Sequence, residues 1–146
     1  MSDKFKVHDI HRVYTAIVYN QFATDEGTIN KPIARHKTDR KKMAIDPNGR
    51  HAVTHYRVIE RLKQNFSLVE CELETGRTHQ IRVHMASINH PLLGDEVYGP
   101  KQKPFATQGQ VLHAGVLGFD HPITGEYMEW HADLPDYFQG ILKRLR

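Results

Sequence analysis

The chain has a single cysteine, Cys71, among its 146 residues. That excludes an internal disulfide and any cysteine-based zinc site, and it suits a reducing compartment. No apolar run approaches the roughly 18 residues of a membrane span. The opening MSDKFKV has no apolar centre of the kind a secretory signal needs. A cytoplasmic protein with no membrane partner is expected. Internal repeats and low-complexity tracts are absent as well. Eleven histidines invite a metal reading, but His79 and His84 stand five apart, not the four that puts two ligands on one helical face. Neither a metal nor a cofactor is called for. Cys71, within FSLVECEL, has no activating base beside it in sequence and reads as a buried strand residue.

What is present fits one globular domain. The apolar fraction is 39% and the charged fraction 25%, and a chain of this size buries about 70% of its unfolded surface. The net charge of +3 is unevenly spread. From Lys31 to Arg50 seven cations (Lys31, Arg35, Lys37, Arg40, Lys41, Lys42, Arg50) face two acids, Asp39 and Asp46. Such an excess suits a polyanion through counterion release, the plain alternative being a solvated loop.

Residues 12–19 (RVYTAIVY) are β-branched and aromatic and predict a strand. Residues 28–52 show no sustained period and contain Pro32, Pro47 and Gly49, so they read as a long, basic, mostly irregular excursion. Thr54–Leu62 and Phe66–Leu73 predict a hairpin turned by Lys63-Gln64-Asn65. Ile81, Met85 and Ile88 then follow a helical spacing, predicting a helix from His79 to Asn89 with Thr78 as N-cap and Pro91 as stop. Gly94–Pro104 is turn-rich. Val111–Phe119 and Tyr127–His131 predict two strands about a turn at 121–126. Leu134–Arg146 predicts an amphipathic helix, with Pro135 in its first turn and Leu134, Phe138, Ile141, Leu142 and Leu145 on one side. Phe105, Phe119, Trp130 and Phe138 read as core, and His113 and His131 as hydrogen-bonded structural groups. The fold class is α+β, with a mostly antiparallel mixed sheet and few helices.

ELETGRTHQIRVHM, from Glu72 to Met85, is the unusual stretch. Arg82 lies four residues after Thr78 and three after His79, so these share a helical face, and Arg77 and Thr78 sit at the helix start, where free amides and the dipole favour an anion. That pattern suits a phosphate or a carboxylate. A surface ion pair for Arg82 is the alternative.

The longer run ELETGRTHQIRVHMASINHPLLGDEVYG, residues 72–99, resembles the signature segment of the RluA/RluD-type RNA pseudouridine synthases, with TGRTHQIRVH, HPLLGD and YG in order. RVYTAIV resembles the family's tyrosine-bearing strand, PIARH and DRKKM its basic insertion, AVTHY the next strand, and LHA with the later HP its last hairpin. The resemblance spans nearly the whole chain. It implies isomerisation of uridine to pseudouridine in structured RNA, ribosomal RNA above all. It also implies that Tyr14 stacks on the flipped base and takes a proton from its C5, that Leu112 forms an apolar wall, and that Arg82 salt-bridges the catalytic aspartate. Arg35, Lys37, Arg40, Lys41, Lys42, Arg77, Thr78 and His79 are the RNA-binding candidates.

One part of the family pattern has no counterpart. The nucleophilic aspartate comes in a segment of type HRLDxxTSG ahead of the tyrosine strand, yet none of the thirteen residues before Tyr14 matches it. Asp9 stands where the family has the end of a helix, and Asp39, Asp46, Asp95 and Asp120 lie in the excursion or in turns. Residues 1–146 are therefore expected to be a single partial domain, the C-terminal portion of a synthase catalytic domain. Three consequences are expected: Arg82 left as an unpaired cation, exposed strand edges covered by self-association or a domain swap, and, as an alternative function, an inactive RNA-binding module.

Overall fold

A computed structural model describes residues 10–100, 109–120 and 127–146, with residues 10, 11, 117, 119 and 120 described as backbone only. Asp9, Phe105, the turn at 121–126 and the last residues of the turn-rich segment lie outside these. The elements run β1 (Ile10–Tyr19), β2 (Glu26–Asn30), β3 (Ile33–Arg35), β4 (Met43–Ile45), β5 (Val53–Arg61), β6 (Phe66–Leu73), α1 (Gln80–Ser87), β7 (Leu112–Asp120), β8 (Tyr127–His131) and α2 (Asp136–Leu145). Six strands form one antiparallel sheet in the order β2-β5-β6-β1-β7-β8, and β3 pairs with β4 in a separate ribbon. No helix among the described residues is long and apolar enough to cross a membrane.

Strand β1 sits near the middle and is apolar on both sides because a helix covers each face. Ala16 and Val18 enter the cluster that holds Ile81 and Met85 of α1. Ile17 enters the opposite cluster, with Phe138, Ile141, Leu142 and Leu145 of α2. Strand β6 alternates likewise: Val69, Cys71 and Leu73 face α1, while Phe66 and Leu68 face α2. Cys71 is fully buried, and burial followed by the nearby Glu70 charge pushes its thiol up to about 12. It is packing, not a nucleophile.

The predicted hairpin is β5–β6, its turn achieved by left-handed Gln64 (φ 58) and Asn65 (φ 64). The basic excursion is more ordered than expected. Its first residues belong to β2, its middle forms the β3–β4 ribbon, and the loop of that ribbon holds its shape because His36 Nδ1 accepts the amides of Thr38 and Asp39. Strands of three to five residues, here EGTIN, IAR and MAI, are too short to show an apolar alternation.

Two further expectations are corrected. Helix α1 begins at Gln80, with left-handed His79 (φ 57) before it and exposed Thr78 making no cap. The Gln80 side chain organises this start instead, its Oε1 accepting from Thr75 Oγ1 (2.6 Å) and the Arg77 amide (3.0 Å). Trp130 is not core: it is 49% exposed on the edge strand β8. Phe138 is fully buried as expected, and His113 and His131 bond Ala132 O and Glu129 Oε1.

Candidate active site

The sheet, the segment after β6 and the start of α1 enclose a cavity of about 250 Å³. Tyr14 of β1 and Leu112 of β7 line it from the sheet, while Arg77, His79 and Arg82 line it from the other side. Tyr14 and Leu112 share a face because Leu112 pairs with Ala16, two residues along from Tyr14. A bulge falls beside Tyr14, where Val13 pairs with Val116 but Tyr14 with Ala114. The extra residue, Gly115, turns the strand next to the cavity, a common use of bulges near functional sites. The volume lies below the roughly 300–1,000 Å³ of drug-sized sites and suits one small ring system.

Arg82 is paired, contrary to expectation. Its Nε donates to Asp95 Oδ2 at 2.8 Å and its Nη2 to Oδ1 at 3.0 Å, a side-on bidentate bridge. Asp95 has no exposed side-chain surface and Arg82 only 13%, so this is not the surface pair either. The amides of Val97 and Tyr98 also donate to Asp95 Oδ1, at 3.0 and 3.1 Å. Burial raises the Asp95 carboxyl, but the Arg82 bond and these amides outweigh it and hold the group below the usual carboxylate range. Arg82 rises in turn, chiefly through the Asp95 bond. Asp95 thus aims the guanidinium, leaving Nη1 without a hydrogen-bond partner among the described residues. Sequence reasoning placed Asp95 in a turn; its spacing of thirteen from Arg82 gives no local signal for the pair.

Tyr98 was equally missed. Its ring lies 5.1 Å beneath the Arg82 guanidinium carbon. Its hydroxyl accepts the Met43 amide at 2.8 Å and lies 2.8 Å from His79 Nδ1. One side chain therefore joins the β3–β4 ribbon to the cavity wall. Burial, then the Arg82 charge, lowers the His79 pKa, so the ring is neutral near pH 7 and can accept the Tyr98 hydroxyl proton.

Beneath the wall, Gln80 Nε2 donates to Val53 O and Thr54 Oγ1, both at 2.9 Å. Thr54 Oγ1 meets His84 Nδ1 at 2.8 Å, and His84 Nε2 meets Lys31 O at 2.9 Å. The Lys31 carbonyl can only accept, so His84 carries its proton on Nε2. These buried polar groups are mutually satisfied, which fixes α1 against β5 and anchors the root of the basic excursion.

The remaining candidates divide. Arg77 lines the cavity and its Nε holds His51 O at 2.8 Å. Thr78 is exposed. Arg35, Lys37, Arg40, Lys41 and Lys42 are gathered on the ribbon and its loop rather than at the cavity, with Arg35 Nη1 bonding Arg40 O.

This cavity, with an aromatic ring, an apolar wall and a buried, carboxylate-aimed arginine, is shaped for a planar polar ring. Residues 1–87 match the family described as RNA pseudouridylate synthase. The chain belongs to that family. It is 55% identical over 137 residues to an uncharacterized RNA pseudouridine synthase, YlyB, of Bacillus subtilis, covering 94% of this chain and 45% of the relative. It is 48% identical over 154 residues to ribosomal large subunit pseudouridine synthase D of Zymomonas mobilis, covering 99% of this chain and 48% of that one. Among solved structures it superposes on human RNA pseudouridylate synthase domain containing 1 with a TM-score of 0.78 and 28% identity, covering 88% of this chain and 56% of the other. The chain thus spans about half the length of the curated relatives it matches.

Proposed function

We propose that this chain supplies the tyrosine and arginine part of a site that isomerises uridine to pseudouridine in structured RNA, with ribosomal RNA as the substrate class. The observation that carries the reading is the shared cavity of Tyr14, Leu112 and Arg82. An extruded uracil loses base stacking worth a few kcal/mol, and an aromatic face with an apolar wall offsets that loss. Isomerisation breaks the N1–C1′ bond, forms a C5–C1′ bond, releases the C5 proton and puts a proton on N1, so the atoms balance. Tyr14 stacks on the base and accepts that proton.

A carboxylate must assist at the glycosidic carbon, and Asp95 is unsuited to it. It is buried, accepts from Arg82 and two amides, and would strand that cation if it left. In this reading Asp95 orients Arg82, and the open Nη1 edge receives the reacting carboxylate from an HRLD-type segment. Residues 1–146 then act as the C-terminal portion of the catalytic domain. Arg35, Lys37, Arg40, Lys41 and Lys42, with Arg77, Thr78 and His79, hold the RNA backbone through charge and hydrogen bonds.

The test uses RNA carrying 5-tritiated uridine. The chain is expected to retain this RNA with an affinity that falls steeply with salt, and to release tritium only when a polypeptide bearing the HRLD-type segment is added. Release by the chain alone would refute the assignment of the carboxylate to another segment. Failure to retain RNA would refute the functional reading altogether.

A further inference from the structure

Arg12 differs from the other well-placed arginines of this molecule. Arg57, Arg61, Arg82 and Arg146 each bridge a carboxylate, and Arg77 holds a backbone carbonyl. Arg12 has no such partner among the described residues, and its Nε is buried without any hydrogen bond. The side chain is only half-buried, so one polar atom of a permanent cation has lost water without a partner among the described residues while the rest of the guanidinium stays within reach of an anion.

Its position narrows what this guanidinium can meet. Arg12 precedes Tyr14 by two residues on β1 and so points to the same face of the sheet. Its guanidinium lies over Gly76, where an added Cβ would come within 2.3 Å of Nη1. Gly76 immediately precedes Arg77, and the same loop delivers Arg77 and His79 to the cavity. The nearby acids do not serve it. Glu72 pairs across from Val13 and so faces the other side, while Glu74 is bonded to His55. Arg77 and Arg82 line the Tyr14 cavity and Arg12 lies against the loop that delivers Arg77, and among the described residues Arg82 is the one of the three that bridges a carboxylate.

We propose that Arg12 holds an RNA phosphodiester at the mouth of the Tyr14 cavity, on the strand flanking the extruded uridine. This rests on the functional reading above and adds a binding residue to it. A guanidinium presents paired donors that match phosphate oxygens, and a glycine beneath lets it lie flat against the loop. The contact fixes the register of the RNA, so that the nucleotide beside the held phosphate is the one that enters the cavity.

The experiment measures binding of a fluorescein-labelled, uridine-bearing RNA stem-loop by anisotropy across a potassium chloride series. Arg12→Gln is expected to weaken binding roughly tenfold and to lower the salt slope by about one. Gly76→Ala keeps every charge but displaces the guanidinium, and is expected to reproduce much of that loss. Both variants should melt as cooperatively as the parent. A stem-loop with one methylphosphonate beside the uridine should bind the parent more weakly than the unmodified RNA, yet bind Arg12→Gln no more weakly. Parental affinity and slope in Arg12→Gln would overturn the proposal. So would parental RNA binding with tritium release lost in the complemented reaction, which would assign Arg12 to a protein carboxylate. If the parent itself binds no RNA, the functional reading falls and this proposal with it.

Discussion

The two faces of the central sheet are built on different principles. The α2 face is closed mainly by apolar side chains: Ile17, Phe66 and Leu68 of the strands meet Phe138, Ile141, Leu142 and Leu145 of the helix, with Tyr19 and Tyr137 packed against them. The α1 face has its own apolar cluster, but buries Thr54, Thr75, Gln80, His84 and Asp95 around it. Apolar packing is non-directional and tolerates exchange of shape for shape, whereas a buried polar group costs stability unless its partner stands at one distance and angle. The first face needs only to fill space and exclude water, while the second also fixes α1 and hence the direction of Arg82.

The strongest way to break this comparison is to make a similar apolar replacement on each face. Asp95→Leu keeps bulk but leaves Arg82 nearly buried and uncompensated, with the Val97 and Tyr98 amides unaccepted. It should cost about 3–5 kcal/mol in urea unfolding. Phe138→Leu should cost only about 1–2 kcal/mol, because the site keeps most of its apolar contact. Equal costs would show that the faces do not differ in kind.

A smaller effect separates the faces by pH. Burial lowers the His84 pKa from its ordinary 6.5, outweighing the Lys31 carbonyl bond that raises it. The unfolded chain therefore binds more protons than the folded one once pH drops below 6.5, so stability is full above that value and declines as pH falls through it. His79, also lowered, adds in the same direction. His84→Leu should cost about 2 kcal/mol at pH 7.5, by leaving the Thr54 hydroxyl proton without its acceptor and the Lys31 carbonyl without its donor, and should flatten this pH dependence. Stability curves from pH 7.5 to 5.5 for the two proteins decide it. An unchanged slope would mean that His84 is not the group titrating.

The same contrast governs what could be read without coordinates. Helix α2 was legible because Phe138, Ile141, Leu142 and Leu145 repeat at helical spacing, and β1, β5, β6, β7 and β8 because their β-branched and aromatic runs are dense. Tyr14, Arg82 and Leu112 were placed by resemblance, and the cavity brings them together. The start of α1 was misread because a threonine before an apolar repeat has the form of a cap, whereas the actual organiser is a glutamine reaching back to Thr75. Asp95 and Tyr98 escaped notice because their partners, Arg82 and Met43, are thirteen and fifty-five residues away. Pairings that depend on tertiary closure leave no period in the chain.

The smallest and most local effect is expected at the seam between the ribbon and the site. Tyr98→Phe keeps the ring beneath Arg82, so the cation–π contact survives, but removes the hydroxyl that accepts the Met43 amide and meets His79. Global stability should fall by only about 1 kcal/mol. The change should instead appear in hydrogen exchange: the Met43 amide, freed of its acceptor, should exchange roughly fivefold faster than any global destabilisation explains. The Ile17 amide, bonded to Val111 O inside the sheet, should follow the global value. The lysines and Arg40 of the ribbon keep their charges, so a fall in RNA affinity without a change in salt slope would mean that Tyr98 holds the ribbon in place without itself meeting a phosphate. Uniform exchange at Met43 and Ile17 would show the ribbon to be fixed to the domain by other contacts.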